Sequence, residues 1–306
     1  MLLRHIRYLL AVADHRNFTR AAEALHVSQP TLSQQIRQLE DSLGAALFDR
    51  SGRSIRLTDA GEAYVRFARL ALQDLEAGKR AMHDVRDLSR GSLRLAMTPT
   101  FTAYLIAPLL HRFHSLYPGI TLGVEEMTQD RLEAALAEDR LDIGIAFTGL
   151  HLADIQSEAL FSETLSLMVG ASHPQAAGKV LSARDLEQQS LVLLSQDFAT
   201  RQHIDLYCRQ HGIVPRIVIE ANSISAIVEL VRRGQLATIL PAAIALEQPG
   251  LLALELTPAL PQRTVALLSR RGAWRSAACQ AFATLAGQWR NAGQHAPRRG
   301  GGGDSG

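Results

Sequence analysis

The 306-residue chain has two cysteines, almost no net charge and no long apolar run, and each shortage removes a class of protein. Cys208 and Cys279 lie far apart without metal-ligand spacing, so neither a disulfide framework nor a zinc site is expected. A reducing cytoplasm is the expected home. Residues 1–10 alternate charge with apolar side chains, which reads as a first helix rather than a signal peptide or membrane span, and no membrane partner is expected. The formal net charge of +2 is too small to imply nucleic acid by itself. In residues 1–58, eight arginines stand against five acids, a mild local excess. Enzyme signatures are missing too: there is no G-x-S-x-G elbow, H-E-x-x-H, Walker loop, or G-x-G-x-x-G after a strand. No catalytic residue, cofactor or metal is therefore expected, and His83, His111, His114, His203 and His211 read as surface histidines. The sequon Asn17-Phe18-Thr19 reads as chance inside a helical hairpin.

What is present begins at residues 18–43, which spell two helices joined by a tight corner. Leu32, Ile36, Leu39 and Leu43 recur at helical spacing, so one stripe of the second helix packs inward. Ser28 fits its N-cap, and Pro30 is tolerated in the first turn, where no intrahelical partner is needed. The opposite face carries Gln29, Thr31, Ser33, Gln34 and Arg37, whose amides, hydroxyls and guanidinium suit base edges and phosphates in a major groove. Residues 47–58 then read as a short β-hairpin, with Gly52 at its turn and Arg50, Arg53 and Arg56 available to phosphates or a minor groove. Any small helical hairpin with a polar face is the plainer alternative.

The motifs Phe18-Thr19-Arg20-Ala21-Ala22, Val27-Ser28-Gln29-Pro30, Leu39-Glu40 and Leu47-Phe48-Asp49-Arg50 resemble the N-terminal signature of the LysR-type transcriptional regulators. Thr100-Phe101-Thr102, residues 142–146 and residues 220–226 are similar to the cyanate-operon regulator branch of that family. The resemblance implies that Thr19, Arg20, Ser28, Gln29, Pro30, Thr31, Ser33, Gln34, Arg37, Arg50 and Arg53 meet double-stranded operator DNA. It also implies activation of an adjacent operon, a homotetramer built as a dimer of dimers, and RNA polymerase as a further contact.

Residues 59–89 contain no proline and place Ala60, Tyr64, Phe67, Ala71, Leu75, Met82, Val85 and Leu88 at helical spacing. About thirty residues at 1.5 Å rise reach about 45 Å, and a lone stripe on so long a helix seeks a partner. A dimerising linker helix is expected, with a core helix of the larger domain as the alternative. From residue 92, strands and helices alternate, beginning as a βαβαβ unit. The fold class expected is therefore α/β behind an N-terminal all-α winged helix-turn-helix. The resemblance implies a two-lobed periplasmic-binding-protein-like arrangement, with lobe I at about 90–162 and 267–293 and lobe II at about 163–266. The full division is 1–58, DNA-binding; 59–89, linker helix; 90–293, effector-binding; and 294–306, an apolar-poor tail read as disordered.

In open α/β sheets, ligands bind outside the carboxyl ends of strands, where helix N-termini attract anions. Those corners here carry Thr98, Thr100, Phe101 and Thr102, then Thr128 and Gln129, then Phe147, then Thr200 and Arg201, and finally Asn222. Hydroxyls dominate, and Arg201 is the one obvious cation. A small monoanion is the expected effector, and the resemblance makes cyanate the specific candidate. Each Thr taken singly reads equally well as an N-cap. Three other readings stand beside this one: a regulator answering another small organic acid or anion, a solute-binding transport protein, and an enzyme on the same fold.

Overall fold

The computed structural model describes residues 3–50, 55–83, 88–149, 152–178 and 180–293. The hairpin tip with Gly52 and Arg53, residues 84–87 of the expected linker and the expected tail at 294–306 lie outside these. The chain divides into two units, Met1–Met82 and His83–Gly306.

The first unit opens with α1 (Leu3–His15), α2 (Phe18–Ala24) and α3 (Gln29–Leu43). Leu9, Val12, Ala21, Leu32, Ile36 and Leu39 are fully buried against one another, so one stripe of each helix makes the core. Leu43, expected in that stripe, is 38% exposed. Leu43 is the last residue of α3, and Gly44 at φ 68° caps the helix there, so the stripe ends with no further turn beside it. Strands β1 (Phe48–Asp49) and β2 (Arg56–Leu57) pair antiparallel, Phe48 opposite Leu57.

Helix α4 (Asp59–His83) begins where the linker was expected and is described as far as His83. Val65 and Ala68 are buried in the core of this unit with Tyr64 and Leu72 beside them, whereas Phe67 and Leu75 are 60% and 50% exposed. Its start is anchored closely: the Thr58 hydroxyl donates to Ala46 O at 2.7 Å and accepts from Gly61 N at 2.9 Å.

The second unit contains two sheets. In the first, β3 (Gly91–Met97), β4 (Ile120–Glu126), β5 (Ile143–Phe147), β6 (Ile155–Glu163) and β13 (Arg263–Arg270) lie in the order β4-β3-β5-β13-β6. The pairs β3/β4 and β3/β5 are parallel, while β13 runs antiparallel to both neighbours. A 3-10 turn, Pro99–Ala103, leads from β3 to α5 (Ile106–Leu116), which packs one face of the sheet together with α10 (Ala277–Gly293). Helix α6 (Gln129–Ala137) covers the other face through Leu132 and Leu136.

The second sheet comprises β7 (Leu165–Gly170), β8 (Val180–Ser182), β9 (Leu191–Leu194), β10 (Ile217–Ala221), β11 (Ala237–Pro241) and β12 (Leu251–Thr257). Their order is β10-β9-β11-β7-β12-β8. Helix α7 (Ala199–His211) lies on one face through Ile204 and Tyr207; α8 (Ile224–Arg233) and α9 (Ala242–Glu247) lie on the other through Ile227, Val231 and Ile244.

The outward crossing between lobes falls at Thr164, between β6 and β7. The return falls at residues 258–262, not near 266 as the resemblance implied, because Ala266 pairs with Ala146 and Ala159 inside the first sheet. Strands β6, β8, β12 and β13 were not read from the sequence; β6 and β12 keep no regular alternation, burying Ile155, Leu160 and Glu163 in one and Leu251, Leu254 and Leu256 in the other.

Candidate functional site

Two sites emerge, one in each unit. In the first, Asn17 caps α2 by accepting from Thr19 N and Arg20 N at 2.8 and 3.1 Å, which fixes the entry of the helix carrying both residues. The Ser28 side chain accepts from Thr31 N at 3.3 Å, and the two hydroxyls are 2.7 Å apart, so Ser28 and Thr31 form the cap of α3. Thr19, Arg20, Ser28, Gln29, Pro30, Thr31, Gln34 and Arg37 are exposed and Ser33 is half-buried. This end of α3 is a continuous polar surface. Gln35 is turned elsewhere: its side chain meets His5 at 3.0 Å and donates to Gln38 at 2.9 Å.

The expected cation Arg50 has a second engagement. Its guanidinium donates to Glu40 Oε2 at 2.8 Å and lies 5.3 Å from the Phe18 ring centroid. Glu40 Oε1 meanwhile accepts from the N–H groups of Leu47 and Phe48 at 2.9 and 3.2 Å, so one carboxylate of α3 fixes the base of the hairpin. Sequence reading had Glu40 within a motif without this role.

In the second unit the expected ligand residues separate. Thr128, Gln129 and Phe147 line a cleft of about 1000 Å³ whose other wall is Ala199, Gln202 and His203 from α7. Thr102 and Asn222 line another, of about 470 Å³, with Ser223, Ser225, Glu126 and Arg232. The Gln129 amide donates to Phe147 O and accepts from Phe147 N, holding the end of β5 against the start of α6. The Thr128 hydroxyl is bonded to Asp130, and that bond holds the Asp130 carboxyl below its ordinary pKa. The Thr102 hydroxyl donates to Pro99 O at 2.6 Å.

Thr98 and Thr100 are buried, and their hydroxyl oxygens have no hydrogen-bond partner among the described residues. Phe101 is a core residue, 5.1 Å from the Phe147 ring centroid.

Arg201, expected to offer the ligand a charge, is instead enclosed by protein acceptors. It donates to Asp205 Oδ1, Leu194 O and Glu220 Oε2 at 2.9, 2.9 and 2.7 Å. Burial opposes its charge, and the bonds to Glu220 and Asp205 outweigh burial and raise its pKa.

A group that sequence reading missed lies at the junction of the lobes. Arg263 Nε donates to Glu163 Oε1 at 2.5 Å, Arg263 Nη1 donates to Thr200 Oγ1 at 2.9 Å, and Tyr104 donates to Glu163 Oε2. The Arg263 guanidinium carbon lies 3.9 Å from the Phe147 ring centroid. Burial lowers the arginine pKa against the pull of Glu163, and burial, then Glu163, raises that of Tyr104. Arg263 and Glu163 are 100 positions apart in the chain, which is why no local pattern pairs them.

A polar helix face in one unit and a two-lobed α/β cleft in the other define a DNA-binding regulator with an effector domain. Family models agree: residues 3–62 match "Bacterial regulatory helix-turn-helix protein, lysR family" and residues 86–290 match "LysR substrate binding domain". The chain belongs to the LysR family of transcriptional regulators.

It is 32% identical over 275 residues to the hydrogen peroxide-inducible genes activator of Pectobacterium carotovorum subsp. carotovorum, covering 89% of this chain and 91% of that one. It is 30% identical over 283 residues to the RuBisCO operon transcriptional regulator of Allochromatium vinosum, covering 92% and 93%. Among solved structures it is similar to a full-length OxyR variant from Pseudomonas aeruginosa, with TM-score 0.66, 28% identity and coverage of 94% and 93%. It is also similar to full-length CbnR complexed with its target DNA, with TM-score 0.57, 25% identity and coverage of 95% and 100%.

Proposed function

We propose that this regulator binds double-stranded operator DNA through the exposed end of α3 and activates an adjacent operon when a small molecule occupies the cleft between its lobes. The observation that carries this reading is the cleft itself, whose walls come from different lobes: Phe147 and Gln129 on one side, Ala199, Gln202 and His203 on the other. A ligand bridging two lobes favours one arrangement over another only by its different affinity for each, and that difference is what DNA geometry would report. No helix among the described residues is long and apolar enough to cross a membrane.

Cyanate is the specific effector to test first, on the sequence resemblance; Thr98 and Thr100, whose buried hydroxyls lack partners among the described residues, line neither of the two clefts described. The relatives quoted above carry the names of peroxide and RuBisCO regulators and lend it no support. A second reading has an observation of its own. Asp130, Asp197, Arg131 and His203 line the larger cleft, Glu133 is already bonded to Gln129 and Leu152 N, and with Arg201 occupied, that lining suits a neutral or cationic polar effector better than an anion.

Peroxide, which the names of the similar activators raise, meets two shielded thiols here. Cys208 and Cys279 are buried in different cores, and burial pushes both thiols up to about 11, leaving neither as the thiolate that reacts.

Calorimetry on the full chain separates these readings. Saturable cyanate binding weakened by Thr100→Val is the expected result. No heat at millimolar cyanate, with binding of an amine or neutral polyol instead, would replace cyanate with the second reading and leave the regulator intact.

A further inference from the structure

The larger cleft is bounded by one residue that also belongs to a buried charged cluster, and that residue is Phe147. Its ring lies under the Arg263 guanidinium, its backbone is held both ways by Gln129, and its side faces the cleft. Across the cleft, Ala199 is the first residue of α7 and packs against the core of lobe I, and its neighbour Thr200 accepts from Arg263. Glu163, which orients that guanidinium, is the last residue of β6 before the chain leaves lobe I, and Arg263 is the first residue of β13 after it returns. Both side chains are nearly inaccessible, at 2% and 3% exposure.

We propose that Arg263 is the positioning residue of the cleft: it ties α7 of lobe II to lobe I through Thr200 while holding Phe147 in place, and so sets the width that an effector meets.

Three features support this. The guanidinium is planar and directional, so a carboxylate on one edge and a hydroxyl on another fix its plane as a flexible ammonium would not. Arg263 Nη2 is already buried without a hydrogen-bond partner among the described residues, so breaking the Thr200 contact leaves a second buried donor of the same cation unpaired, a cost that water entering between the lobes would relieve. The bond also joins the two walls of one cleft, so a ligand that wedges between Phe147 and α7 strains it and a ligand that draws them together shortens it. The inference rests on the proposed role of this cleft as the effector site.

Distance measurement between spin labels on the full chain, with the labelled chain diluted into unlabelled parent so that only distances within one copy are read and without any effector, tests the tie alone. Labels are placed by Glu138→Cys in lobe I and Arg209→Cys in lobe II, both exposed, and native Cys208 and Cys279 are buried and resist labelling. Thr200→Val and the smaller Thr200→Ala remove the acceptor; Thr200→Ser keeps it.

The expected result is one narrow distribution for the parent and Thr200→Ser. A second, longer population is expected in the other two, above the roughly 0.1–10% usual for a minor state. Phe147→Leu, which removes the ring under the guanidinium and keeps apolar volume, should broaden the distribution less. If Thr200→Val and Thr200→Ala match Thr200→Ser, Arg263 does not set the cleft width. If Thr200→Val fails to fold, Thr200→Ala decides. If neither folds, a parent distribution already as broad as that of Phe147→Leu overturns the proposal. Effector binding plays no part in these readings, so loss of the effector assignment and loss of the tie are told apart.

Discussion

Arg50 and Glu40 form an ion pair at 2.8 Å, so the first cation of the hairpin is held against α3 by a carboxylate of that helix. The same carboxylate accepts from Leu47 N and Phe48 N. Glu40→Ala should therefore strip acceptors from two backbone donors and a guanidinium together. A loss on the order of 1–3 kcal/mol in stability of the DNA-binding unit is expected, read by thermal unfolding. Glu40→Gln, which keeps one acceptor oxygen, should lose less, and equal losses in both variants would show that the carboxylate is not the anchor.

Gln29 and Arg37 are exposed on the polar face of α3. Replacing Gln29 and Ser33 with Ala should weaken specific operator binding by about 1–3 kcal/mol per lost base contact without unfolding. Arg37→Ala should weaken binding to all sequences and reduce the salt slope by about one unit. Footprints with unchanged sequence preference after the double substitution would remove the face from its role.

Phe67 and Leu75 are exposed apolar residues of α4, and Phe67 points away from the side that buries Val65 and Ala68. A second copy of the helix is the occupant proposed, and Phe67→Asp would place a charge in that seam and weaken dimerisation. Sedimentation of the variant at the parent's mass would show that Phe67 meets something else.

Gly61 has no room for a methyl group: a Cβ there would stand 2.0 Å from Leu47 O. Gly61→Ala must push α4 from the hairpin base, and a fall in thermal stability of several degrees is expected, together with weaker operator binding. Unchanged melting would mean that α4 shifts freely at its start.

The two thiols give a pH signature. Each is pushed from 9.0 to about 11 by burial, so the folded chain holds protons that the unfolded chain releases. Their contribution is constant below pH 9 and falls as pH rises toward 11. Thiol reagents should modify neither cysteine in the native chain at pH 7, and peroxide should leave operator binding unchanged. Rapid labelling at neutral pH would contradict the burial of both.

The elements with strong local signals were legible from sequence alone. Helix α3 with its cap, α4 from its first residue and the parallel start β3-α5-β4-α6-β5 follow from periodicity and caps. What escaped was set by distance along the chain. Strand β13 pairs between β5 and β6 only after lobe II has intervened, so its register and the crossing at residues 258–262 have no local cause. Arg201 shows the limit only in part: Asp205 is its i,i+4 neighbour on α7 and was legible locally, whereas Glu220 reaches it from the end of β10. Glu163 and Arg263 each close or open a strand and meet only in the fold.

Strand β13 occupies the interior of the first sheet yet is made after all of lobe II. During synthesis, lobe I must therefore wait with β5 and β6 unjoined while the six strands of the second sheet emerge. Long-range pairing of this kind is slow and leaves strand edges open to wrong partners. The DNA-binding unit, made first and built mostly from local contacts, has no such delay. A ribosome stalled before residue 263 would thus carry a finished reader of DNA attached to an unfinished sensor, and the last helix, α10, seals lobe I only when nearly the whole chain has left the tunnel.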